Sequence, residues 1–200
     1  GTVGVCHFQP LMNQLVRTTA GVGVFLTLSC IAAFAAEPAK ANTYMGIKNC
    51  KMCHSKDATG NQFALWEKSA HAKAYASLAS PESKAKAKEL GIDDPQKSEK
   101  CLSCHVTAFS VMKDLATQKI TLEEGVSCES CHGPGSAYAP MKVMKDITAG
   151  TVKPESVGLL NPDEKLCVTC HKAEGNPFHK EFKFAEYVKK IAHPIPKAGG

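Results

Sequence analysis

Aromatic residues are scarce in this chain of 200 residues, making up 6% of it with a single tryptophan. The protein part alone would bury little apolar surface for its size, so a core has to draw on something besides side chains. No apolar run reaches the roughly 20 residues that cross a bilayer as a helix; the clearest one, GVGVFLTLSCIAAF from Gly21 to Phe34, is too short. Arginine occurs once, as Arg17, which leaves no Arg-Arg pair for twin-arginine export. Strand patterning is also missing, and TQKITL, Thr117 to Leu122, is the best short candidate. Cysteine, by contrast, is plentiful at ten residues.

Eight of the ten fall into four copies of one pattern, Cys-x-x-Cys-His: CKMCH (Cys50, Cys53, His54), CLSCH (Cys101, Cys104, His105), CESCH (Cys128, Cys131, His132) and CVTCH (Cys167, Cys170, His171). A closed zinc site takes its histidines from a distant segment rather than the next residue, which counts against zinc. A disulfide within each pair would leave the histidine without a role. Covalent haem attachment uses all three residues: both thiols form thioethers to the porphyrin edge, and the adjacent histidine ligates the iron from one face. The sequence therefore predicts four covalent haem c groups, with Cys50, Cys53, Cys101, Cys104, Cys128, Cys131, Cys167 and Cys170 as the attachment points. The intervals between motifs are irregular, which excludes a solenoid. The flat macrocycles supply the core that the aromatics do not, and the chain without them is expected to be largely unfolded.

The remaining cysteines, Cys6 and Cys30, lie in a leader. From Met12, MNQLVR carries one positive charge, the apolar run follows, and Ala33-Phe34-Ala35 offers a small-x-small cleavage signal. Residues 1–11 read as upstream read-through, 12–36 as a Sec-type signal peptide, and 37–200 as one tetrahaem domain by length. An uncleaved anchor, or a lipid attached at Cys30, are the alternatives. Export places the mature protein in the periplasm.

Helical signals dominate the rest, and the expected class is all-α. In NQFALWEKSAHAKAYASL, Phe63, Ala70, His71, Ala74 and Leu78 fall on one face of a helix, with His71 turned inward. SPESKAKAKELG carries Ser80 as N-cap, Pro81 at the first helical position and Gly91 past the end. NPDEKLCVTCH, with Asn161 capping, is expected to carry the fourth motif on a helix. EFKFAEYVKKIA ends ahead of Pro194, which pushes His193 out of the helical region. The formal charge is +5, but the haem propionates offset it. Lysines cluster from Lys68 to Lys100; Lys84, Lys86 and Lys88 read as a solvated helix face or as a docking patch for an acidic redox partner. Nucleic acid is excluded as a partner of an exported haem protein.

WEKSAHAKA, CLSCHVTAF, GVSCESCHGPG and the closing FKFAEYVKKIAH resemble the tetrahaem cytochrome c-554 family, from about Lys48 to His193. The specific part is GVxCExCHGPG together with the SAHA histidine. The resemblance implies a compact multihaem cytochrome c fold with haems in near-contact pairs, and electron transfer between a donor and an acceptor redox protein. It also implies that the second haem, on Cys101, Cys104 and His105, lacks a sixth protein ligand, and that His71 and His193 are sixth ligands of the third and fourth haems in an unassigned order. One departure stands out: where the family has a histidine for the first haem, about ten residues after the CHGPG histidine, this chain has Pro140-Met141-Lys142.

Counting sharpens this. His54, His105, His132 and His171 serve as proximal ligands, leaving His71, His179 and His193 for four irons. The first haem takes His179, a thioether from Met141 or Met144, or nothing. An open iron also permits a reductase of a small ligand such as nitric oxide, but no acid, base and anion-binding constellation stands beside any motif; Lys142 and Tyr138 are the nearest groups. A subunit of an extracellular haem wire would want two histidines at every iron.

Overall fold

The structure, a computed structural model, describes residues 41–109, 119–193 and 195. The segment expected to be a leader, with Cys6 and Cys30, the first residues of TQKITL and Pro194 lie outside them. Nine short α-helices and several 3-10 turns are found among the described residues, and no strand. The all-α expectation therefore holds.

The helices are α1 (Ile47–His54), α2 (Gln62–Glu67), α3 (Ala74–Ser77), α4 (Pro81–Glu89), α5 (Glu99–His105), α6 (Cys128–His132), α7 (Met141–Thr148), α8 (Glu164–Cys167) and α9 (Phe184–Tyr187). Helix α4 follows its local signals. The Ser80 hydroxyl accepts from the Ser83 amide at 3.1 Å, Pro81 opens the first turn, and the Ile92 amide closes the end on the Ala87 carbonyl at 2.8 Å. It buries only Ala87, so its lysines face solvent, where Lys86 pairs with Glu89.

Three helical expectations are corrected. The long helix through His71 is two pieces, α2 and α3, with turns between. The His71 carbonyl accepts from the Val126 amide at 3.0 Å, and that tertiary bond competes with a continuous helical ladder. The cap of α8 is Asp163, whose carboxylate accepts from the Leu166 amide at 2.9 Å, rather than Asn161. Because α8 ends at Cys167, only the start of the fourth motif is helical. The last helix is one turn of α9 followed by a 3-10 turn over Val188–Lys190.

A small apolar core holds Leu78, Leu102, Val106 and Ile120, with Tyr44, Tyr75, Phe109 and Leu122 packed around it. Beside it, Thr107 is fully buried and acts as a hydrogen-bond hub. Its hydroxyl donates to the Gly125 carbonyl at 3.0 Å, accepts from the Ser127 amide at 2.7 Å and from the Ser130 hydroxyl at 2.8 Å, and lies 2.9 Å from the Ser127 hydroxyl. This joins the end of α5 to the start of α6. Trp66 adds a third strut by donating its indole N–H to the Val126 carbonyl at 2.9 Å.

Gly125 makes that junction possible. At φ +61° it occupies a conformation that side chains disfavour, and a Cβ there would stand 2.8 Å from the His71 carbonyl oxygen. The backbone of the His71 turn can therefore press against Gly125 and Val126.

Candidate haem-binding site

Helical geometry puts the second cysteine and the histidine of each motif three and four residues after the first cysteine, on one face. Motifs one to three lie at the ends of α1, α5 and α6. In the fourth, the His171 amide donates to the Cys167 carbonyl at 3.0 Å, which keeps that turn without a full helix. All eight cysteines are free thiols. Among the described residues, no group of three or more His, Cys, Asp or Glu is arranged to hold a metal ion, so the motifs do not converge as zinc sites would.

The motif histidines are oriented by partners that the sequence did not reveal. His105 Nδ1 lies 2.7 Å from the Ala74 carbonyl, His132 Nδ1 lies 3.1 Å from the Leu160 carbonyl, and His54 Nδ1 lies 3.1 Å from Gln62 Oε1. Each of these acceptors calls for an N–H at Nδ1. The lone pair is then left on Nε2, the arrangement by which outer partners aim ligating histidines at a metal. His171 differs: its ring stacks on Phe182 at 4.7 Å and 14°.

Two further histidines face motif rings. The centroids of His71 and His171 are 6.0 Å apart, and those of His132 and His193 are 5.8 Å apart. Two metal–imidazole bonds of about 2 Å each, plus the half-widths of two rings, span roughly 6 Å. Burial pushes His71 below the ordinary histidine range, and His171 adds to the shift. His193 is lowered by burial first, then by His132 and His54. Both effects favour the neutral, ligating imidazole.

The other sequence candidates separate by position. His179 acts electrostatically on His171 and lines with it a cavity of about 200 Å³ that also takes in Phe178, Phe182 and Tyr187. It belongs to the fourth motif's surroundings. Met141 is 64% exposed, whereas Met144 is half-buried on the face of α7 that carries Val143 and Ile147. No ring contact faces His54 or His105 among the described residues.

Thiols of different motifs touch. Cys50 and Cys128 share a hydrogen bond that raises the first and lowers the second. Cys104 and Cys170 do likewise, with Cys104 lowered to about 6 and Cys170 raised. Cys131 also feels the charge of Cys167. Motif one therefore adjoins motif three, motif two adjoins motif four, and three adjoins four. Exposed Met52, Leu160, Val168, Phe178 and Ile191 add apolar surface near the motifs that a macrocycle would cover. The residues present fit haem c.

A family described as cytochrome c554 and c-prime matches residues 49–133. Cytochrome c-554 of Nitrosomonas europaea is 30% identical over 182 residues, covering 74% of this chain and 73% of its own. No solved structure matches.

Proposed function

From its place in the cytochrome c-554 family, to which the chain belongs, we propose that this protein is a periplasmic tetrahaem electron carrier working between a donor and an acceptor redox protein. Family membership makes it a c-type cytochrome with covalently bound haem c. The number four, the ligand set and the compartment are our reading. A bound haem iron supplies a one-electron centre that cycles between ferric and ferrous states. The chain's work is to hold each iron, set its ligands and exclude competing ligands.

In this reading Cys50 and Cys53, Cys101 and Cys104, Cys128 and Cys131, and Cys167 and Cys170 hold four haems, with His54, His105, His132 and His171 as proximal ligands. His71 caps the fourth haem and His193 the third; the facing rings of His71 with His171 and His132 with His193 are the observation that carries the assignment. Met144 is favoured over Met141 for the first haem because it is less exposed, and over His179 because that histidine neighbours His171. The neighbouring thiols would set the first haem beside the third and the second beside the fourth, close enough to exchange electrons. No described helix is long and apolar enough to cross a membrane.

The test combines intact mass with EPR. Four covalent haems are expected, and His71→Ala should convert the fourth haem from low to high spin while His193→Ala converts the third. An unchanged spin count in both variants would overturn the ligand assignment, and fewer than four haems would overturn the tetrahaem reading. A second reading, reduction of a small ligand such as nitric oxide at the second haem, draws support from His105, which no other ring faces among the described residues. Catalytic consumption of nitric oxide by the reduced protein would favour it. A haem-wire subunit would need histidines from neighbouring chains and would show four low-spin haems only when assembled.

A further inference from the structure

Glu129 lies between the two cysteines of the third motif and is 3% exposed. The hydrogen bonds that its carboxylate accepts among the described residues come from backbone amides. Oε1 accepts from the Met45 amide at 2.9 Å and the Gly135 amide at 2.6 Å, and Oε2 from the Gly46 amide at 2.9 Å and the Met45 amide at 3.1 Å. A protonated carboxyl would need an acceptor for its O–H, and this nest offers donors only, so it is built for an anion. No cation pairs with it among the described residues.

The groups that feel this charge are Cys50, Cys128, Glu124, Tyr44 and Tyr138. Two of them are the touching thiols of motifs one and three. Around Cys104 and Cys170 the sign reverses, because Lys172 acts on both. Asp163 and Glu164 act on Cys167, but both are exposed, where solvent screens them. Burying a charge without a counter-ion is expensive. A neutral amide in its place would turn N–H donors on these same backbone donors, so the nest selects a charge that the groups beside it must feel.

We propose that Glu129 is a fixed negative charge that lowers the reduction potentials of the first and third haems. The inference rests on the tetrahaem reading above. Oxidation of an iron from ferrous to ferric removes one electron and leaves one more positive charge at the haem. A nearby buried anion stabilises that product and so disfavours reduction. An electron delivered by the donor protein to the first or third haem is then driven on toward the second, beside Lys172. Glu129 is a positioning residue as well, because its nest fixes the start of α1 against α6.

Redox titration of the holoprotein, resolved haem by haem by NMR or EPR, separates the two roles. Glu129→Gln should shift the reduced-to-oxidised ratio of the first and third haems about tenfold at fixed ambient potential, an upward shift of about 59 mV, with the second haem within twofold. Glu129→Asp keeps the charge and should hold the reduced-to-oxidised ratio of every haem within about twofold even where thermal stability falls. If Glu129→Gln does not mature, a tenfold rise in Glu129→Asp would overturn the proposal, and unmoved potentials would support it. Equal shifts at all four haems, or none, in a four-haem Glu129→Gln protein overturn the inference alone. A wild-type protein with fewer than four haems overturns the reading beneath it too.

Discussion

Residues 41–138 and residues 139–193 are held together by different means. Every buried residue among those described lies at or before Tyr138, and none lies beyond it. The first region has a core, the Thr107 hub and the Glu129 nest. The second has an amphipathic helix α7 with no buried residue and a run of turns in which Phe182 stacks on His171 and Tyr187. Protein packing thus organises three of the four motifs, whereas the last region leaves apolar side chains such as Phe178 and Ile191 exposed.

That contrast can be broken most directly by deleting one attachment point. Cys167→Ser with Cys170→Ser should lower the intact mass by one haem group and render residues 139–193 sensitive to limited proteolysis while 41–138 survives; uniform cleavage of both would abolish the distinction. Next in size is Thr107→Val. It strands the Ser127 amide and the Ser130 hydroxyl in a buried site, at a cost of roughly 2–4 kcal/mol, to be read by denaturant unfolding with the haem count unchanged. Ser80→Ala removes the side-chain cap of α4 and should cost about 1 kcal/mol, visible as a small drop in Tm without spectral change. Smallest is Lys142→Ala. Its pair with Asp146 at 2.7 Å sits on an 86% exposed side chain, so the loss should stay below about 0.5 kcal/mol; a larger one would mean that α7 is packed more firmly than its exposure indicates.

What could be read in advance was what is local. The Cys-x-x-Cys-His spacing is fixed by covalent chemistry within five residues, and α4 carries its own cap, proline and terminal glycine. The break between α2 and α3 was hidden because its cause, the Val126 amide on the His71 carbonyl, lies more than fifty residues away in the chain. Asn161 and Asp163 stand two positions apart with similar capping ability, and the chain caps α8 with the second. Histidine counting had no way to tell which rings meet; the fold brings His71 to face His171 and His193 to face His132. Gln62, Ala74 and Leu160 as partners of the motif histidines had no sequence signal, since two of the three contribute only a carbonyl.

Gly125 ties these observations to inheritance. A site histidine is usually thought to be protected by its own codon, yet the placement of the His71 turn depends on a residue that contributes no atom beyond its backbone. Drift at Gly125 toward alanine would leave every motif intact to a reader of the gene while pushing the His71 backbone off its seat. One methyl group at this turn would therefore be felt more than fifty residues away in the chain, at the backbone that carries the His71 ring.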